Sequence, residues 1–156
     1  MITTPFSWFL RRAVLLLALL LSPSLLTASD AGEVKLEIQL IWGTDADTSP
    51  DPTHKAIEGD LASKFKKTPF KWKNYFQVKR RSVTVAPGAL QKVEMSKDCT
   101  LEIRNVGDNR MEVKLFGKDK EKFVSKHTEP LSNYPLIIGG NAGNDTAWFI
   151  VIKALK

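Results

Sequence analysis

Alternation of apolar and polar positions is the strongest signal in the chain. Val34, Leu36, Ile38, Leu40 and Trp42 are interleaved with Glu33, Lys35, Glu37, Gln39 and Ile41. Successive side chains of a strand point to opposite faces, so this spacing predicts a half-buried strand that ends at Gly43. The same period of two returns at 75–85, 91–95, 99–105, 111–116, 122–128, 136–138 and 147–154. Turn-forming clusters separate these runs: Ala86-Pro87-Gly88, Ser96-Lys97-Asp98, Gly107-Asp108-Asn109, Gly117-Lys118-Asp119 and the stretch from Gly139 to Asp145. Cys99, Leu101 and Ile103 share one face, as do Met111, Val113 and Leu115, which predicts a hairpin around Gly107-Asp108-Asn109. Turns recurring about every ten residues mark an all-β sandwich or barrel.

One segment follows a different period. Asp51-Pro52 offers a carboxylate cap followed by proline at the first helical position, and Ile57, Leu61 and Phe65 form an apolar stripe at i, i+4, i+8. Pro69 ends the pattern. The expected fold is therefore mainly β: a single-domain antiparallel β-sandwich or barrel of about seven or eight strands, with one amphipathic helix near residues 52–67.

The N-terminal thirty-one residues carry another kind of pattern. Arg11 and Arg12 precede the apolar run from Ala13 to Leu21, then a Ser-Pro breaker and small residues. That is the layout of a secretory leader, with cleavage expected among Ala28, Ser29 and Ala31. The apolar stretch contains Pro23 and falls short of the roughly 20 residues needed to span a bilayer, so no transmembrane anchor is expected after cleavage. The domain division is 1–31 leader and 32–156 single β-rich domain, in a periplasmic or extracellular setting. The single cysteine, Cys99, allows no disulfide within the chain and lies on an apolar face.

Charge changes the picture further. The chain has 23 Lys and Arg against 17 Asp and Glu, but their distribution is uneven. No acidic residue occurs between Asp60 and Glu94, whereas that interval holds Lys64, Lys66, Lys67, Lys71, Lys73, Lys79, Arg80, Arg81 and Lys92. Phe65, Phe70, Trp72, Tyr75 and Phe76 are interleaved with them. Lys64, Lys66, Lys67, Lys71, Trp72, Lys73, Lys79, Arg80 and Arg81 are the candidate binding residues, for an anionic partner met by lysine charge and aromatic faces. The leader directs that choice away from nucleic acid and towards a lipid headgroup, an acidic glycan or an acidic protein. The competing reading is a solvated face with Phe65, Phe70 and Trp72 in the core.

Other chemistries find little support. Asp45, Asp47 and Asp51 alternate like the start of a calcium loop, but Pro50 and Ala56 stand where the helix-loop-helix site needs Gly and Glu. A copper site from His54, His127, Cys99, Met95 and Met111 lacks a His closely following the Cys. Cys99 has no nucleophile signature, no serine sits in a nucleophile elbow, and the Gly-rich segment 139–145 lacks the Gly-Lys-Ser/Thr of a phosphate loop. No metal, cofactor or catalytic residue is assigned.

Three segments carry a resemblance: Leu40-Ile41-Trp42-Gly43-Thr44, the run from Phe70 to Phe76 (FKWKNYF), and Gly139-Gly140-Asn141 through Asp145-Thr146-Ala147-Trp148. On these the chain resembles small secreted bacterial single-domain β proteins of no assigned function. The resemblance implies an exported β domain and carries no activity. The leading expectation is an exported non-enzymatic binding or scaffolding protein of the cell envelope. The alternatives are a small carboxylate-dependent hydrolase and a subunit of an envelope assembly docking through the apolar last strand.

Overall fold

The computed structural model describes residues 32–108, 110–118, 122–127 and 134–155. The expected leader with its expected cleavage region, and the expected strand end at Thr128, lie outside them. Among the described residues, eight strands and one two-residue strand form two antiparallel sheets, with a single helix. In chain order these are β1 (Val34–Thr44), β2 (Lys55–Ala56), α1 (Gly59–Lys67), β3 (Asn74–Val85), β4 (Leu90–Ser96), β5 (Cys99–Gly107), β6 (Arg110–Phe116), β7 (Lys122–His127), β8 (Leu136–Asn141) and β9 (Ala147–Ala154). One sheet has the order β2-β3-β1-β9-β8, the other β4-β5-β6-β7, and the two pack as an open sandwich, not a closed barrel.

The alternation along each strand decides what each face covers. Val34, Leu36, Ile38 and Leu40 of β1 and Ile150 and Ile152 of β9 face the other sheet, where Val93, Met95, Leu101, Ile103, Met111, Val113 and Leu115 meet them. The opposite face of the five-stranded sheet holds Ile41, Tyr75, Ala147, Phe149 and Val151, and Phe65 of α1 closes over them. The architecture is thus three layers: helix, five-stranded sheet, four-stranded sheet. β9 lies between β1 and β8, with apolar neighbours on both faces. Its apolar sequence is accounted for by these two packed faces.

The helix begins at Gly59, later than the Asp51-Pro52 signal suggests. The Asp51 carboxylate instead accepts hydrogen bonds from the Thr53 backbone N–H (2.8 Å) and hydroxyl (2.7 Å), closing a turn. Lys55 and Ala56 then pair with Gln77 and Phe76, which places them in extended backbone. Ile57 reaches the same apolar cluster as Leu61 and Phe65 without being helical. At the other end the Thr68 N–H donates to the Lys64 and Phe65 carbonyls, and Pro69 follows. Lys64, Lys66 and Lys67 occupy the last turn, where cations complement the helix dipole.

Candidate functional site

The structure separates the nine sequence-predicted residues into two groups. Lys64, Lys66 and Lys67 lie in the last turn of α1, and Lys71, Trp72 and Lys73 follow in the loop leading to β3. Lys79, Arg80 and Arg81 lie in the middle of β3. Even these three diverge. Arg80 pairs with Gln39 on the helix side of the sheet, whereas Lys79 and Arg81 pair with Leu40 and Ile38, whose side chains face the four-stranded sheet.

The interleaved aromatics point inward. Phe65, Phe70, Trp72, Tyr75 and Phe149 form one cluster, with ring centroids 4.7 Å apart for Phe65–Tyr75 and Phe70–Phe149 and 5.9 Å for Trp72–Phe149. The Trp72 indole N–H donates to the Asp145 carbonyl at 2.8 Å, tying this loop to the β8–β9 turn. Those rings serve as the anchor of the helix and are spoken for as stacking platforms. The backbone they hold carries exposed Lys66, Lys67, Lys71 and Lys73. Lys71 is 3.7 Å from the Asp145 carboxylate, and the Asp45 carboxylate accepts the Lys73 backbone N–H at 3.0 Å, so this end of the molecule also contains acids.

Beside the helix, on the same sheet face, lies a cleft of about 200 Å³ lined by Glu37, Gln39, Asp60, Leu61, Lys64, Pro135, Val151 and Lys153. Glu37 is nearly buried there, and its carboxylate is held by the Arg80 guanidinium and by the Gln39 side-chain amide at 2.7 Å. A buried carboxylate is tolerated because both oxygens have donors. Arg80 is therefore committed within the fold.

A grouping that sequence spacing did not reveal occurs in the loop before β2. Ser49 Oγ is 2.8 Å from His54 Nδ1, and His54 Nε2 is 3.5 Å from Asp51 Oδ2. The same serine oxygen accepts the Asp51 N–H at 3.3 Å, and Asp51 is engaged by Thr53. Each member closes a contact within six residues of chain, which makes the trio a clamp on the loop. The Thr53 hydrogen bonds, with the nearby His54, hold the Asp51 carboxyl below its usual range. Cys99 lies half-buried at the edge of the inter-sheet core, and burial pushes its thiol up to about 11. Among the described residues, no three His, Cys, Asp or Glu side chains converge to hold a metal ion.

No protein-family model matches the chain, and no curated protein or solved structure is significantly similar to it.

Proposed function

We propose that the protein is an exported, non-enzymatic binding or scaffolding module of the cell envelope. It engages an anionic component through the lysines around the C-terminal end of α1. The observation that carries this reading is the division of labour in residues 64–75. Their aromatic rings pack on Phe149, with Phe65 and Tyr75 buried and Phe70 and Trp72 partly so, and fix the backbone, while Lys66, Lys67, Lys71 and Lys73 are exposed. Lysines on a fixed backbone concentrate positive potential without the cost of ordering that backbone on binding. Export rests on the leader at 1–31.

Binding of this kind is electrostatic and therefore salt-sensitive, because the Debye length shrinks from about 10 Å at 0.1 M to about 3 Å at 1 M. Retention on heparin and on anionic vesicles should be lost as salt rises across that interval, and a tagged full-length chain should be recovered, shortened, outside the cytoplasm. Retention that is absent at low salt, or unchanged at 1 M, overturns the binding reading. An unprocessed cytoplasmic chain overturns export.

A carboxylate-dependent hydrolase draws on one observation, that Glu37 and Asp60 line the same cleft. It predicts turnover of a soluble polysaccharide that Glu37→Gln or Asp60→Asn abolishes and that charge reversal at Lys66 leaves intact.

A further inference from the structure

On the other side of the five-stranded sheet from α1, at the end of the sandwich that carries the β4–β5 turn, the two sheets leave a cavity of about 180 Å³. Its walls are Leu40, Leu115, Phe116, Trp148 and Cys99, with Ser96 and Asp98 at the turn. Among the described residues the lining is almost wholly apolar, and Asp98 is its one charged residue.

The strands are irregular at this same place. The β1–β3 register shifts between Leu40 and Ile41, the β4–β5 register between Glu94 and Ser96, and the β6–β7 register between Leu115 and Phe116. A bulge inserts an unpaired residue, bends its strand and re-aims side chains. All three irregularities fall at or beside a lining residue, so the backbone of three strand pairs, and not one small side chain, shapes this end of the sandwich.

We propose that the cavity binds a short apolar molecule with a neutral or cationic polar end, such as an alkanol or alkylamine of about six to eight carbons. The size follows from the volume, since a dry apolar cavity of about 150 Å³ takes up benzene. The preference at the polar end follows from the turn. Asp98 opposes an anionic head, and the Ser96 hydroxyl oxygen, which accepts the Asp98 N–H at 3.2 Å, keeps its own proton free to donate. Lys97 of the same turn lines the neighbouring depression, which shares Phe116 with the cavity and in which Glu94 and Glu102 also stand. This site is independent of the lysines around α1, so either proposal can fail without the other.

Cys99 is the only cysteine, so the rate at which a small thiol reagent modifies it reports on the cavity alone. Hexanol and hexylamine should slow that reaction in the full chain saturably, by tenfold or more, and should raise the unfolding temperature over the same concentrations. Hexanoate should protect weakly in comparison. Asp98→Lys, a change at an exposed turn position, should reverse the preference so that hexanoate protects and hexylamine does not. Absence of saturable protection overturns the proposal. So does protection that ignores the head group and the residue at 98, because that is unspecific partition.

Discussion

Single residues show how the sandwich is pinned at the end opposite the cavity. Asn105 is buried, and its side-chain amide donates to the Gly32 carbonyl at 2.8 Å and the Val85 carbonyl at 3.1 Å, while its carbonyl accepts the Gly107 N–H at 3.0 Å. One side chain therefore joins the entry to β1, the end of β3 and the turn after β5. Asn105→Ala leaves these groups without partners and should cost about 2–4 kcal/mol, read as a lower midpoint in urea. Tyr75 is the reverse case. Its hydroxyl is buried without a well-formed hydrogen bond, and its ionisation is pushed up chiefly by burial and further by the Asp45 carboxylate. Tyr75→Phe keeps the ring contacts with Phe65 and Phe149 and should leave stability equal or raise it by about 1 kcal/mol. Cys99 illustrates what spacing can and cannot convey. Its place on the face of Leu101 and Ile103 was legible from period two, but its position on a cavity depends on bulges that leave no trace in the alternation. A raised thiol favours the folded state fully below the unfolded value near 9, and that contribution fades as pH rises towards 11. Modification of Cys99 in the native protein should accordingly stay slow through pH 9 and accelerate only nearer 11; a rate that levels off by pH 9 contradicts its burial.

At the scale of elements, strands were legible because each buries one face or both, and period two survives any error in their ends. The helix was legible in its stripe but not in its start. Asp51-Pro52 suits a turn as well as a cap, and the pairing of Lys55–Ala56 with β3 decides between them, a contact across twenty residues that no local signal encodes. A helix of nine residues has little stability of its own and depends on what it buries. Phe65, about 1% exposed and in contact with Phe70, Tyr75 and Phe149, supplies most of that anchorage. Phe65→Ala should destabilise the protein by about 3–5 kcal/mol and release α1 to rapid amide exchange while β5 and β6 remain protected. Slow exchange throughout α1 in that variant would show that the helix is held by something else. β8 depends on the absence of side chains. A Cβ at Gly139 would lie 2.6 Å from the Phe149 ring, which is itself enclosed by the aromatic cluster and has nowhere to move. Gly139→Ala should therefore lower the unfolding midpoint, whereas Gly143→Ala, with open space around it, should not.

At the scale of the whole molecule, the layers assign different tasks to residues that are neighbours in sequence. The run of nine bases without an acid reads as one feature along the chain, yet folding divides it among the end of a helix and the loop after it, two faces of β3, and β4 in the other sheet. The mixed basic and aromatic composition was visible from the start. Core positions for Phe65, Phe70 and Trp72 were one of two readings the composition allowed; what decides between them is Phe149, more than seventy residues away, on which these rings pack. The central claim is that lysines alone make the contact and the rings only support it. The direct test is binding of the full chain to vesicles containing anionic lipid, compared among three proteins. Each lysine near such a surface contributes about 1 kcal/mol, so reversing Lys66, Lys67 and Lys73 to Glu together should weaken binding by at least about 100-fold, while stability falls only by what two charges at the helix C-terminus contribute, about 0.3–1 kcal/mol each. Trp72→Phe should lower the midpoint by loss of its hydrogen bond to Asp145 and leave binding within about twofold. Undiminished binding by the charge-reversed protein, or loss of binding by Trp72→Phe while it remains folded, would contradict the account.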